Sequence, residues 1–199
     1  MIFFVVTAVA VNILVSVNLY QDAVDSGKAV VKNIANQVQE RIGESERDLI
    51  ETQKIISKNL LTPSTTNDYL ESIVKDNKFF TAIEILDSSG KVLNAAPSKF
   101  QAVGMDRSGQ TFYKNINGDG EIYWSDLFNL MVNGEPTIAI SMPDKDKIFV
   151  AYLDIREVSR ILMDYNLHYE DDIEIFMMDA KGTYISNSEE SMIQERNTN

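Results

Sequence analysis

"IEILDSSGKVLN", Ile83–Asn94, and "IEIFMMDAKGTYISN", Ile173–Asn187, are the same phrase written twice. Each has an alternating apolar run, then Asp-x-x-Gly, then a second run of Val, Leu, Ile or Tyr. Asp87 and Asp179 lie 92 positions apart, as do Gly90 and Gly182. Alternation at period two marks a strand with a buried face, and a polar turn carrying glycine returns the chain antiparallel. Each phrase therefore reads as a hairpin that opens a module.

The region between the two hairpins supplies the rest of the first module. Phe80 to Leu86 and Lys91 to Asn94 are the opening strands, followed by a loop and a short helix around Gln110 to Ile116. "GEIYWSDLF" is a third strand, and Thr137 to Pro143 and Ile148 to Asp154 are the fourth and fifth, joined by the turn "PDKD". Val158, Ile161, Leu162 and Leu167 then recur at helical spacing. Short turns between successive strands predict an antiparallel sheet with helices on one face, an α+β fold. The first module needs about 70 residues after its Asp-x-x-Gly turn, whereas 17 follow Gly182. The second module is thus expected to begin in this chain and to be completed outside it.

Upstream, "MIFFVVTAVAVNILVSVNLY" carries no charge before Asp22. About 20 such residues suffice to cross the hydrocarbon layer, so residues 1–20 are expected to form a transmembrane helix, with a basic stub preceding it in a longer gene. From Asp22 to about Asn59 the chain lacks proline, and Val24, Val31, Ala35, Val38, Ile42, Ser45, Leu49, Thr52 and Ile56 form a stripe at helical spacing. Residues 21–60 are therefore expected to be a long stalk helix with a face for its own domain and for a homodimer partner. Pro63 ends it, and the Ser, Thr and Asn residues that follow offer a cap for a short helix over Asp68 to Lys75.

Composition excludes several functions. A formal charge of −12 with no basic cluster argues against nucleic acid. Zero cysteines removes thiol nucleophiles and Cys-based metal sites, and His168, the single histidine, has no serine nucleophile setting beside it. No catalysis, cofactor or metal is expected. Asn115 to Asp126 echoes a calcium loop, but Asn stands first and Asp twelfth, so it reads as a plain turn.

Taken in order, the apolar start, the long helix, "ILDSSGKVL", "GMDRSGQTFY", "YWSDLF", "GEPTIAISMP", "VAYLDI" and "MMDAKGTYIS" resemble the double Cache family. These are PAS-like extracytoplasmic sensors of chemoreceptors, histidine kinases and cyclic-nucleotide enzymes. The resemblance implies a five-stranded antiparallel PAS-like sheet with flanking helices. It makes residues 61–167 the membrane-distal module and 168–199 the start of a truncated membrane-proximal one. Everything after about residue 20 would be periplasmic or extracellular.

Amino-acid-binding members of the family carry Arg-x-Trp-Tyr on the short helix and an aspartate at the end of the fifth strand. Here those positions hold Gln110, Thr111, Phe112 and Tyr113, and the aspartate is Asp154. Gln110 cannot form the bidentate pair that an arginine makes with a carboxylate, and Arg107 lies three positions earlier. The expected small-molecule site has aromatic walls from Phe112, Tyr113, Tyr123, Trp124 and Phe128, with Arg107, Gln110, Ser141 and Asp154 as polar points. An aspartate facing aromatic rings suits an amine or another polar metabolite. Asp154 also has the position of an N-cap for the helix after it. The rival reading is a pilin-like structural subunit, which lacks an account of the duplicated hairpin.

Overall fold

The computed structural model describes residues 2–58, 62–116, 121–166, 176–178 and 184–187, with side chains in the first helix given from residue 21 onward except at Ala23. Two compact units divide it, Met1–Gln39 and Glu40–Asn199. Helix α1, Ile2–Ser57, is continuous through the apolar start and the stalk. Among the described residues no helix is long and apolar enough to cross a membrane. The expected span, residues 1–20, lies where side chains are outside the described set, as does His168.

Within the second unit the α1 stripe is partly realised. Ser45, Leu49, Thr52 and Ile56 are buried, Ser45 and Thr52 included although they break the apolar pattern. Ser45 returns its hydroxyl to the Arg41 carbonyl at 3.1 Å, which is how a helix accommodates a buried serine. Val31, also assigned to the stripe, is 58% exposed.

Helix α2 runs Pro63–Asp76, longer than Asp68 to Lys75. Pro63 ends nothing here; it opens the helix, because a first-turn residue has no intrahelical partner for its N–H and the ring fixes a helical φ. Thr62 caps it by accepting from the Thr65 N–H, and the Thr65 hydroxyl accepts from the Thr62 N–H at 2.8 Å.

The strands are β1 Phe80–Asp87, β2 Val92–Ala96, β3 Tyr123–Trp124, β4 Phe128–Asn129, β5 Pro136–Asp144 and β6 Lys147–Asp154. Between β2 and β3 come a 3-10 turn, Ser98–Phe100, and the one-turn helix α3, Thr111–Lys114; α4, Ile155–Asn166, follows β6. The sheet is antiparallel in the order β2-β1-β6-β5-β3, with β4 also pairing β5. The expected third strand is therefore two short pieces on one edge, so six strands fill five positions. Between the pieces, Ser125 leaves the regular ladder but still bonds to both polar groups of the Ala139 backbone, at 2.9 and 2.8 Å.

Directly paired residues share a face of a sheet. One cross-strand row is Tyr123, Ser141, Val150, Glu84 and Ala95, and the neighbouring row holds Ala139, Tyr152 and Ala82. Ile83, Ile85, Ile140, Phe149 and Leu153 belong to the opposite face. Asn94, on that opposite face, donates to Asn67 of α2 at 2.9 Å, and Asp144 accepts from Ser57 of α1, so those helices cover it. The first face is left to α3, the 3-10 turn and the β4–β5 hairpin.

A second hairpin pairs β7, Phe176–Met178, with β8, Tyr184–Asn187. Its register, 176 with 187, 177 with 186 and 178 with 184, is the β1–β2 register displaced by 92, including the irregularity before the turn. Asp179 and Gly182 lie outside the described residues.

Candidate ligand-binding site

The repeated turn is what builds the site. Asp87 Oδ1 accepts from the Ser89 and Lys91 N–H groups at 2.8 and 3.0 Å, closing the β1–β2 connection. Gly90 has φ +89°, and a Cβ there would sit 2.8 Å from the Ser108 nitrogen. Only glycine lets the 106–108 segment lie on the turn. Gly90 O then accepts the Arg107 N–H at 2.8 Å, and Asp106 Oδ1 takes the Ser108 N–H at 2.8 Å. These hydrogen bonds hold the Asp87 and Asp106 carboxyls below their ordinary pKa; for Asp87 the Ser89 hydroxyl is the largest cause, and for Asp106 the Ser108 N–H.

So anchored, Arg107 reaches across the first sheet face to Glu84. Nε donates to Oε2 at 2.9 Å and Nη2 to Oε1 at 2.6 Å, a bidentate pair with side chains 6% and 4% exposed. Tyr152 donates its hydroxyl to the same Oε2 at 2.7 Å. The bonds to Glu84 raise the Arg107 pKa, and burial, with Glu84 beside it, pushes the Tyr152 phenol well above its ordinary 10.0. Removing one partner of such a buried pair costs about 3–5 kcal/mol, because the other charge is left unpaired.

Above this cluster the aromatic rings interlock. Phe112 meets Tyr152 edge-on with centroids 5.5 Å apart, and Phe128 lies 5.9 Å from Phe112. Arg107, Gln110, Phe112 and Phe128 come together with Leu130, Met131 and Tyr152 around a cavity of about 10 Å³. That is room for about one water, so a larger molecule enters only if a wall of the cavity moves. Met131, 76% exposed, is its outer wall, and the Gln110 amide contacts the Met131 sulfur at 3.7 Å.

The other expected site residues do not line this cavity, although Tyr113 and Tyr123 pack against the same core cluster as Phe112 and Tyr152. The Tyr113 hydroxyl donates to Ser88 O at 2.8 Å, tying α3 to the first turn, and Tyr123 accepts from Asn115 at 2.9 Å. Trp124 pairs with Ile140 and so belongs to the opposite face, which removes it from the aromatic wall. Adjacent strand residues cannot both face one cavity. Ser141 is on the site's face, fully buried, with its hydroxyl unpartnered among the described residues. Asp154 serves as the cap: Oδ1 accepts the Arg156 N–H at 2.9 Å. Its carboxylate is also gripped by the Arg156 guanidinium at 2.9 and 2.7 Å, and Arg156 reaches Glu135 of the β4–β5 hairpin at 2.6 Å. Asp154 and Arg156 border a separate open groove of about 640 Å³ next to α2. Among the described residues no cluster could hold a metal ion.

Glu84 and Tyr152 escaped the sequence reading. Glu84 was visible as a lone charge inside "TAIEIL", but which face it takes depends on pairing register.

No protein family model and no curated protein matches the chain. Solved structures do. An extracellular ligand binding receptor from Desulfohalobium retbaense superposes with a TM-score of 0.71 at 17% identity, over 81% of this chain and 31% of that one. The sensory domain of the Campylobacter jejuni chemoreceptor Tlp3, solved with isoleucine bound, matches at TM-score 0.67 and 10% identity, over 92% of this chain and 77% of that one. The sensor domain of the V. cholerae histidine kinase DctB matches at 0.63 and 11% identity, over 87% and 69%. This chain spans less than a third of the length of the first of these.

Proposed function

We propose, from the fold that the chain shares with the Cache-type sensor domains of chemoreceptors and a histidine kinase, that it is the extracytoplasmic sensing region of a membrane receptor. The observation that carries this reading is the buried Glu84–Arg107–Tyr152 cluster beneath Phe112 and Phe128. A buried ion pair on a sheet face rarely adds stability over apolar packing, so a pair kept beside an aromatic-walled cavity supports a role in recognition. The ligand enters by displacing Met131, and residues 61–167 form the distal module. The signal leaves through α1, whose C-terminal turn bonds to β5 through Ser57 and Asp144. Binding favours one of two arrangements only by the difference in affinity between them.

In this reading residues 1–20 span the membrane, 21–60 form the stalk and a homodimer contact, and 168–199 begin the proximal module. The chain has no catalysis of its own and no nucleic-acid partner. Extraction of membranes at alkaline pH tests the anchor: the chain stays with the pellet if residues 1–20 are inserted and is released if they are not.

A thermal-shift screen of amines, acids, sugars and purines tests the sensor. A true ligand at a hundred times its dissociation constant adds about 2.7 kcal/mol and raises Tm by several degrees. That shift should fall in Gln110→Ala and Phe128→Ala, which trim the cavity without touching the ion pair. A folded protein that responds to nothing in these classes overturns the reading.

A further inference from the structure

We propose that the Glu84–Arg107 pair makes the site selective for uncharged ligands that carry a hydrogen-bond acceptor, and that Glu84 is the residue that excludes carboxylates. This rests on the sensor reading above. Arg107 is the one charged side chain among the described residues around the cavity, and the Nε–Nη2 edge of its fork is already spent on Glu84. The pair is neutral as a unit. Tyr152, held protonated against Glu84 Oε2, adds no charge.

A carboxylate entering this space would be a third charge with no counter-ion. The alternative, in which Arg107 leaves Glu84 for the newcomer, strands the Glu84 carboxylate where its side chain is 4% exposed. Either route carries the penalty of an unpaired buried charge. Arg156 offers no escape, since it borders the separate groove beside α2 and is held by Asp154 on one side and Glu135 on the other. What the site still offers is the Nη1 edge of Arg107, which points away from Glu84, and the Gln110 amide. Both can donate. Phe112 and Phe128 offer ring surface. A flat neutral molecule with a carbonyl or ring-nitrogen acceptor satisfies all of these at once. Isoleucine, which the Tlp3 sensory domain holds, would not be accepted here.

Binding of four probes to the whole chain tests this by calorimetry: nicotinamide and uracil as neutral acceptors, L-isoleucine and acetate as carboxylates. Wild type, Glu84→Gln and the double variant Glu84→Gln/Arg107→Gln are compared, with circular dichroism as the check on folding. Glu84→Gln keeps the size and a hydrogen bond to Arg107 but releases its positive charge. It should gain at least about tenfold in carboxylate affinity, roughly 1.4 kcal/mol, and the double variant should lose that gain. Carboxylate binding by the wild type overturns the selectivity and leaves the sensor reading standing. A folded Glu84→Gln without the gain also overturns it. If neither protein takes up a probe of either class, the selectivity proposal falls, and the wider thermal-shift screen decides the sensor reading. Should Glu84→Gln not fold, the wild-type comparison alone still decides against the proposal if a carboxylate binds.

Discussion

At the scale of single residues, the turn between β1 and β2 does more than reverse the chain. Gly90→Ala places a Cβ against the Ser108 backbone in a left-handed conformation. A loss of more than about 2 kcal/mol in urea unfolding is expected, from strain and collision together. Asp87 gives a pH signature. Its folded pKa lies below the ordinary 3.8, so its stabilisation is present above that value and is lost as pH falls through the lower folded one. Between about pH 5 and pH 2.5 the wild type should lose more Tm than Asp87→Asn does. Tyr152 has the opposite sense. With its pKa raised above 10.0, its contribution is complete below that value and disappears as pH rises through the folded one. In a phenolate absorbance titration, one of the eight tyrosines should ionise late or only on unfolding, and Tyr152→Phe should remove that lagging step.

At the scale of elements, local chemistry decides where helices start and pairing decides what strands display. Thr62→Ala removes one half of the reciprocal cap on α2 and should cost about 1 kcal/mol by chemical denaturation. Since α2 packs on β1 and β2, the loss should appear in global unfolding and not as fraying alone. The β7–β8 pairing reproduces the β1–β2 register residue for residue, so the repeated phrase specifies a geometry as well as a composition. The third strand shows the limit of pattern reading. "YWSDLF" alternates well enough to read as one strand, yet Ser125 bonds to Ala139 outside the ladder and splits it.

For the sheet domain as a whole, β6 is the spine. It pairs with β1 along one edge and β5 along the other, and Phe149 to Asp154 are all buried. Hydrogen exchange should be slowest in β6, slower in β1 and β5 than in β2, and fastest in β3 and β4, which are two residues each on an edge. Uniform exchange across the sheet, measured by mass spectrometry, would contradict this order. The two faces also divide the labour: α1 and α2 close one, and the other keeps a cluster of charges and rings beneath a short hairpin.

By itself the sequence determined the element order, the antiparallel sheet, the long helix and the duplicated hairpin. These follow from periodicity, proline and glycine placement and turn chemistry, all local in the chain. It also brought Arg107, Gln110, Phe112 and Phe128 under suspicion, and these share one cavity. Tertiary structure alone decided that Arg107 meets Glu84, 23 residues away, and that Tyr152, 68 residues from Glu84, completes the cluster. It also decided that Trp124 turns from the site and that Asp154 is spoken for by Arg156. The reason is physical. A one-residue change of register exchanges the faces of a strand, and register is fixed by partners far off in the chain, so no local reading of "TAIEIL" or "VAYLD" could say which side chains would face each other.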